Sequence, residues 1–382
     1  MIDPDPVLDP ERQRLAKRYA RQKRALALGS GFLLLAYLVA WQIALSAAHA
    51  HVLNALAIFG LFALMAVLFE VVELPNSWLG YQLSRGYGLS TQSPGSWFAD
   101  QLKGLGLLLV LGGALVELTY LAARLQPQWW WLIMAGVILL FTVLLANLAP
   151  VLIAPLFFKF TPLDDEELSR RLLALVAKAG TRVRGVFTMH LSEKTTAANA
   201  ALMGWGNTRR IVVGDTLTGS FTHDEAEAVL AHELGHHVHH DVWRAIALQS
   251  VITIAALGLA AACMAWIGAA GWVAPLPDAA GMPALGLLLV LWTAVFGPIS
   301  NWASRVAERR ADEYAIRTAT RPRAFVGSMI RLANQNLAEV DPPRWVELLL
   351  YDHPAIQRRI RLFEQLQAES QGARRESQGA SR

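Results

Sequence analysis

The sequence predicts an α-helical integral membrane protein of about six to seven spans, interrupted by a small soluble α+β segment. Three observations predict it. Of the 382 residues, 54% are hydrophobic and only 17% are charged, with a mean hydropathy of +0.35, whereas soluble domains carry about 25% charged residues. Long uncharged runs account for the deficit. Between Arg24 and Glu70 there is no Asp, Glu, Lys or Arg, and a helix needs about 20 apolar residues to cross a bilayer. The third observation is a change at residues 159–243, where the apolar runs give way to periodicities of soluble type.

Residues 1–24 form a basic tail that includes Arg12, Arg14, Lys17, Arg18, Arg21, Lys23 and Arg24. Residues 25–158 form an N-terminal membrane region of four spans, at 25–48, 52–72, 104–123 and 128–157. Ala48-His49-Ala50 has the small-residue spacing of a signal-peptidase site. The long charged lead and the immediate second span read instead as a retained anchor. Trp129-Trp130-Trp131 opens the fourth span as an interfacial aromatic anchor.

In residues 159–243, Leu168–Ala179 has helical apolar spacing, and Arg184–Leu191 and Arg210–Val213 read as strands. Thr222-x-x-Glu225 is a capping box that starts the next helix, and that helix can run past Trp243 into a fifth span at 245–270. A sixth, at 284–303, contains Gly297-Pro298, where a proline kink is expected. Residues 244–304 thus hold two further spans. Residues 305–368 are helical and basic, and 369–382 (ESQGARRESQGASR) are low-complexity and expected to be disordered.

Six spans place both Arg-rich termini on one side. The loop at 271–283 has no Lys or Arg, so the positive-inside rule puts the tails and residues 159–243 in the cytoplasm. The pI of 9.3 accompanies a net charge of only +4. Because the basic surplus sits in the tails, it points to anionic membrane lipid rather than nucleic acid. The single cysteine, Cys263, excludes an internal disulfide and a multi-cysteine metal site.

The chemistry centres on Ala231-His232-Glu233-Leu234-Gly235-His236-His237, which reads as H-E-x-x-H. Residues four apart share one helical face, so His232 and His236 can hold one Zn²⁺ per chain. Glu233 is then placed to act as general base on a water that zinc acidifies toward pH 7. A third protein ligand is needed. Glu308 and Asp312, again four apart, follow the sixth span directly. Glu308 can close the coordination while Asp312 accepts a hydrogen bond from a ligating histidine. The competing reading pairs both with Arg305 and Arg309 on a solvated face. The longer H-E-x-x-H-x-x-G-x-x-H pattern fails, because His239 and Val242 occupy its last two positions. His237, His239 and His240 read as exposed or interface residues, with His240 one turn beyond His236. His49, His51, His190 and His223 lack ligand spacing and read as structural. Glu117 is an intramembrane carboxylate of unassigned role.

These motifs, with His353-Pro354 and Arg359-Ile360, resemble the M48 metallopeptidases, and among them the Ste24-type CAAX prenyl proteases. Tyr87-Gly88-Leu89-Ser90-Thr91-Gln92, followed by Trp97, Asp100 and Lys103, is similar to that family's N-terminal membrane region. Asn199-Ala200-Ala201-Leu202-Met203-Gly204 with Arg210–Val213 and Asp215–Leu217 is similar to its substrate-facing hairpin. The resemblance covers roughly residues 60–365. Two departures bear on substrate preference: Tyr87–Ser90 replaces an aromatic-Asn version, and no aromatic follows Asn199. The resemblance implies membrane helices walling a large chamber and zinc held by His232, His236 and Glu308. It implies Glu233 as base and then acid, Asn199 on the substrate backbone and His353 on the oxyanion. Arg359 is either a partner of Asp312 or a surface charge, and His353-Pro354 alone also fits a helix-start turn.

The expected activity is a zinc metalloendopeptidase cutting peptide bonds near the C-terminus of prenylated or other membrane-associated substrates. It would sit in the bacterial inner membrane, or in the endoplasmic reticulum of a eukaryote. Ala, Leu and Arg usage favours a bacterium. One alternative is an HtpX-like quality-control protease of membrane proteins. Another is a non-catalytic scaffold or chaperone with a structural zinc, which would leave Glu233 without a purpose. A transporter is disfavoured by the lack of an internal repeat. Oligomeric state is not legible.

Overall fold

The computed structural model describes residues 6–204 and 206–380. Six of its helices are long and apolar enough to cross a membrane. They are α1 Pro10–Ala47, α2 Ala55–Gly86, α3 Pro94–Leu125, α4 Trp130–Phe157, α7 Asp241–Ala269 and α8, whose regular part is Met282–Thr318. Each overlaps one expected span. Their outer faces carry exposed Leu, Val, Phe and Trp side chains, including Leu28, Phe32, Leu140, Val251 and Trp302. In water such a surface would be an aggregation liability; against lipid tails it is the expected finish.

The basic segment before residue 25 is not a loose tail. Asp9 caps α1 through the backbone N–H groups of Glu11 and Arg12. Arg12 Nε donates to the Asn334 carbonyl at 2.9 Å, and Arg24 reaches Glu339 at 3.1 Å. The start of α1 is thereby tied to the far end of the chain.

Between α4 and α7 lies the soluble unit. It comprises β1 Phe160–Pro162, α5 Glu166–Lys178, β2 Val186–Met189, β3 Ala200–Met203, β4 Arg210–Gly214 and α6 His223–Val238. The sheet order is β1-β2-β4-β3, with β2 and β4 parallel and the outer pairs antiparallel. After α8 come α9 Arg323–Gln335, α10 Arg344–Leu350 and α11 Ile356–Ala380. The segment expected to be disordered, residues 369–382, instead continues α11 as far as Ala380. Glu, Gln, Ala and Arg are good helix formers, and the packed first half of α11 supplies the nucleus. Its last two residues lie outside the described residues.

The core of the soluble unit brings Leu168, Leu172 and Leu175 of α5 onto Ile211 and Val213 of β4 and onto Leu230 and Leu234 of α6. Phe325 and Met329 of α9 close it. Consequently α6 is buried along most of its length, from Glu225 to Gly235. Its two buried carboxylates are paired. Glu225 closes the capping box with Thr222 and lies 3.0 Å from Arg331; Glu227 lies 2.7 Å from Arg171.

One expectation about α6 is overturned. It does not run on into the fifth span. His240 adopts a left-handed backbone, φ 55°, and α7 starts anew at Asp241. For a non-glycine residue this costs about 1–2 kcal/mol, and no glycine or proline marks the break in the sequence. The turn brings Asp241 back under His236. By contrast, Pro298 is absorbed within α8, which continues to Thr318.

Candidate metal centre

Two helices make the centre by close approach. A Cβ built on Gly235 of α6 would lie 2.7 Å from Cα of Ala311 on α8, so glycine between the two histidines lets the backbones touch. The contact brings His232 and His236 opposite Glu308. Nε2 of His232 lies 3.3 Å from Glu308 Oε2, and Nε2 of His236 lies 3.2 Å from Glu308 Oε1. One ligand atom from each of the three residues falls within 4.8 Å of the others.

The far nitrogen of each ring is held. His232 Nδ1 lies 2.9 Å from Asp312 Oδ1; donating there, it leaves Nε2 as the nitrogen that faces Glu308 and would be offered to a metal. Asp312 in turn accepts from Arg359 at 2.9 and 2.6 Å in a two-pronged contact. His236 Nδ1 lies 3.1 Å from Asp241 Oδ2, and Asp241 Oδ1 accepts from Arg310 at 2.6 Å. Each histidine therefore has its own carboxylate and its own arginine.

The donor set fits a metal. Two imidazole nitrogens and a carboxylate converge, and Glu308 Oε2 is a buried oxygen without a hydrogen-bond donor among the described residues. Burial lowers the proton affinity of His232, but the Asp312 and Glu308 carboxylates beside it outweigh this and carry its pKa up to about 9. A cation, here a proton, is thus strongly favoured at this spot. Glu233 lies beside the ligands in a partly buried position, and desolvation raises its carboxyl above the ordinary range against the pull of His232 and His236. A raised carboxyl makes a stronger base.

His353 reaches the cluster from the loop before α11. Its Nε2 lies 3.3 Å from Glu308 Oε1, and Asp352 holds its Nδ1 at 2.8 Å and raises its pKa. A protonated or Nε2–H imidazole here is a donor at the edge of the centre. Asn199 is exposed at the start of β3, and its side chain makes no hydrogen bond to the cluster among the described residues. Arg359 is buried against Asp312, not a surface charge, and neither Arg305 nor Arg309 pairs with Glu308 or Asp312. Arg305 caps carbonyls of residues 347, 348 and 351, and Arg309 pairs with Glu313. His240 and His237 line a cavity of about 960 Å³ that also touches Glu233 and His236. His51, His190 and His223 face Asp278, Thr161 and Asp165 respectively.

Comparison with known proteins decides the family. Residues 162–367, more than half of the chain, match the model for peptidase family M48, and residues 10–159 match that for the CAAX prenyl protease N-terminal region, five membrane helices. The chain belongs to the M48 peptidase family. It is a multi-pass membrane metalloprotease, and the family implies the metal for which His232, His236 and Glu308 are grouped. Among relatives, an uncharacterised metalloprotease of Bacillus subtilis, YhfN, is 30% identical over 305 residues, covering 79% of this chain and 72% of that protein. CAAX prenyl protease 1 of Saccharomyces cerevisiae is 33% identical over 176 residues, 45% of this chain and 39% of that protein. The crystal structure of S. mikatae Ste24p superposes with a TM-score of 0.80 at 24% identity, covering 93% of this chain and 89% of that one. This M48 peptidase therefore has the Ste24p fold, in which the membrane helices surround a chamber. Within the 10–159 match, four helices here are long enough to span.

The N-terminal region of this M48 peptidase is joined directly to the segment that leads into the hairpin. Ser90 forms a bridge with Thr195, Thr91 Oγ1 donates to the Ser192 carbonyl at 2.8 Å, and Lys194 reaches Asp100 at 2.5 Å. The Tyr87–Gln92 stretch thus docks the membrane region onto residues 192–195, the segment that joins β2 to β3. Sequence reasoning missed Asp241 and Arg310. The spacing of Asp241, five beyond His236, carries no helical signal; only the break at His240 makes it a partner.

Proposed function

We propose that the protein is a zinc metalloendopeptidase that cuts near the C-terminus of prenylated or other membrane-associated peptides. The observation that carries this is the convergence of His232, His236 and Glu308 within 4.8 Å, with Glu233 beside them and an apolar cavity opening onto both. Two histidines and one glutamate with an open position are the ligand set of catalytic rather than structural zinc. Bound there, zinc would supply a Lewis acid and a water of lowered pKa.

The chain's own groups do the rest. Glu233 takes the proton of the attacking water and delivers it to the leaving amine, so that one water and one peptide bond become a carboxylate and an amine. His353, oriented by Asp352, donates to the oxygen that gains charge on the carbonyl. Asn199 and the edge of β3 hold the substrate backbone. Asp312 and Asp241 keep the two imidazoles in the tautomer that presents Nε2. The arginine-rich tails support a cytoplasmic placement of the site. The named relatives include CAAX prenyl protease 1 of yeast, which supports a lipid-modified substrate.

The test uses purified protein in detergent with zinc, a farnesylated C-terminal peptide, its unmodified twin, and Glu233→Gln as the blank. Loss of the last three residues from the farnesylated peptide alone, absent in Glu233→Gln, is expected. Equal cutting of both twins at several bonds would point to a quality-control protease instead. Wild-type-like turnover in Glu233→Gln would remove the mechanism.

A further inference from the structure

Strand β3 is the last strand of its sheet, and its outer edge is only partly open. The bond from Gly214 N–H to the Asn199 carbonyl, 2.8 Å, fixes the alternation. With Ala200 opposite Val213 and Leu202 opposite Ile211, residues 199, 201 and 203 face β4. The N–H and C=O groups of residues 198, 200 and 202 therefore face outward. At Ala198 both are already taken. Asn336 Oδ1 accepts from Ala198 N–H at 2.8 Å, and Asn336 Nδ2 donates to the Ala198 carbonyl at 3.1 Å. Its neighbour Gln335 donates to the carbonyls of Thr196 and Thr216 at 2.8 and 3.1 Å. A side-chain amide thus imitates one residue of a paired strand and closes the edge. Only Ala200 and Leu202 are left to pair with an incoming chain.

The two ends of this short edge differ. At the Leu202–Met203 end lies the cavity of about 960 Å³, walled by Val143, Trp243, Ile246 and Trp302 of the membrane helices and touching Glu233. At the other end, beyond Asn336, lies a pocket of about 600 Å³ lined by Ala197, Thr195, Lys194, Tyr19 and Lys23. Lys194 is neutralised by Asp100 at 2.5 Å. Lys23 sits over the Tyr19 ring at 5.8 Å and has no carboxylate partner among the described residues. The pocket's carboxylate, Glu73, is bound to Ser30 and Asn76. Ser30 is seven residues from Lys23 along α1, about 10 Å, so the two charges are separate.

Resting on the peptidase reading above, we propose that Asn336 sets the distance of the cut from the chain end. A peptide lies antiparallel to β3, with its apolar or lipid-bearing part in the cavity at Met203. Its free C-terminus stops at Asn336, and Lys23 takes the carboxylate. The chain is then a terminus-reading peptidase whose limit comes from a capped strand edge. A longer tail loses its strand pairing at Ala198, where Asn336 already holds the donor and the acceptor.

The experiment compares peptides with one apolar anchor and three, five or eight residues after the scissile bond, each ending in a carboxylate or a carboxamide. For wild type, the three-residue carboxylate is expected to be cut best, with KM at least tenfold lower than for its carboxamide and kcat changed less. Lys23→Met should erase that tenfold ratio. Asn336→Ala should lengthen the tail that is tolerated; where that variant does not fold, the wild-type ladder alone decides. Equal cutting of all tail lengths and both termini by wild type would overturn the proposal while leaving the peptidase reading intact. A Lys23 effect seen only with anionic lipid, and equal for both termini, would assign Lys23 to a lipid phosphate and also overturn it. No cutting of any peptide by zinc-loaded protein would instead remove the reading on which it rests.

Discussion

The two halves of the metal centre are built alike and placed differently. His232, Asp312 and Arg359 are all buried, joining α6, α8 and α11 in the interior of the soluble unit. His236, Asp241 and Arg310 repeat the same chemistry beside the cavity, with Arg310 one-third exposed. The first arm is an element of the fold, because three helices would separate a buried charge if it were cut. The second is a local turn at the wall of the cavity, where water can replace a lost partner. The centre thus has one histidine held inside the fold and one held at the wall of the cavity.

The largest expected effect breaks the comparison outright. Asp312→Ala leaves Arg359 charged and buried without its two-pronged partner, with only Glu308 at 3.6 Å beside it, which costs about 3–5 kcal/mol, while Asp241→Ala leaves Arg310 with access to solvent and lowers stability far less. Thermal unfolding in detergent should separate the two variants clearly; similar losses would show that the arms are equivalent. The same pair sharpens the comparison through metal affinity. Asp241→Ala should weaken zinc binding by about 10–100-fold with the fold retained, read by chelator competition.

Gly235→Ala acts on both arms at once, by wedging a methyl between α6 and α8 where Ala311 Cα is 2.7 Å away. A loss of about 1–3 kcal/mol is expected, with weakened zinc binding, and an unchanged melting temperature would remove the close-approach argument. The pH dependence carries a definite sign. His232 is raised to about 9 in the metal-free protein, so zinc must displace a proton there throughout the neutral range. Apparent affinity should rise with pH until it levels off near 9, with proton release measurable by calorimetry in buffers of different ionisation enthalpy. The smallest effect is at the start of α6. Thr222→Ala removes one half of the capping box and should lower stability by about 1 kcal/mol, with little change in either arm.

What could be read from the sequence follows the same division. The grouping of His232, His236, Glu308 and Asp312 left a mark because helical geometry spaces them, His232 with His236 and Glu308 with Asp312 each four apart, whereas Arg359 carried no such spacing. The spans were legible because hydropathy is a property of a continuous stretch. Asp241 was not, since a left-handed residue at His240 without glycine or proline leaves no local mark. Asn336 was not either; its partner Ala198 is 138 residues away, and an amide among amides has no motif. The three-residue strand Phe160–Pro162 is too short for a period to show.

The most direct test is the zinc content of purified protein carrying Glu308→Ala, set beside Glu233→Gln prepared in the same way. About one zinc per chain is expected in Glu233→Gln, where all ligands remain and only the base is lost, and little or none in Glu308→Ala. Full zinc occupancy in Glu308→Ala, or its loss in Glu233→Gln, would contradict the assignment of ligands and base.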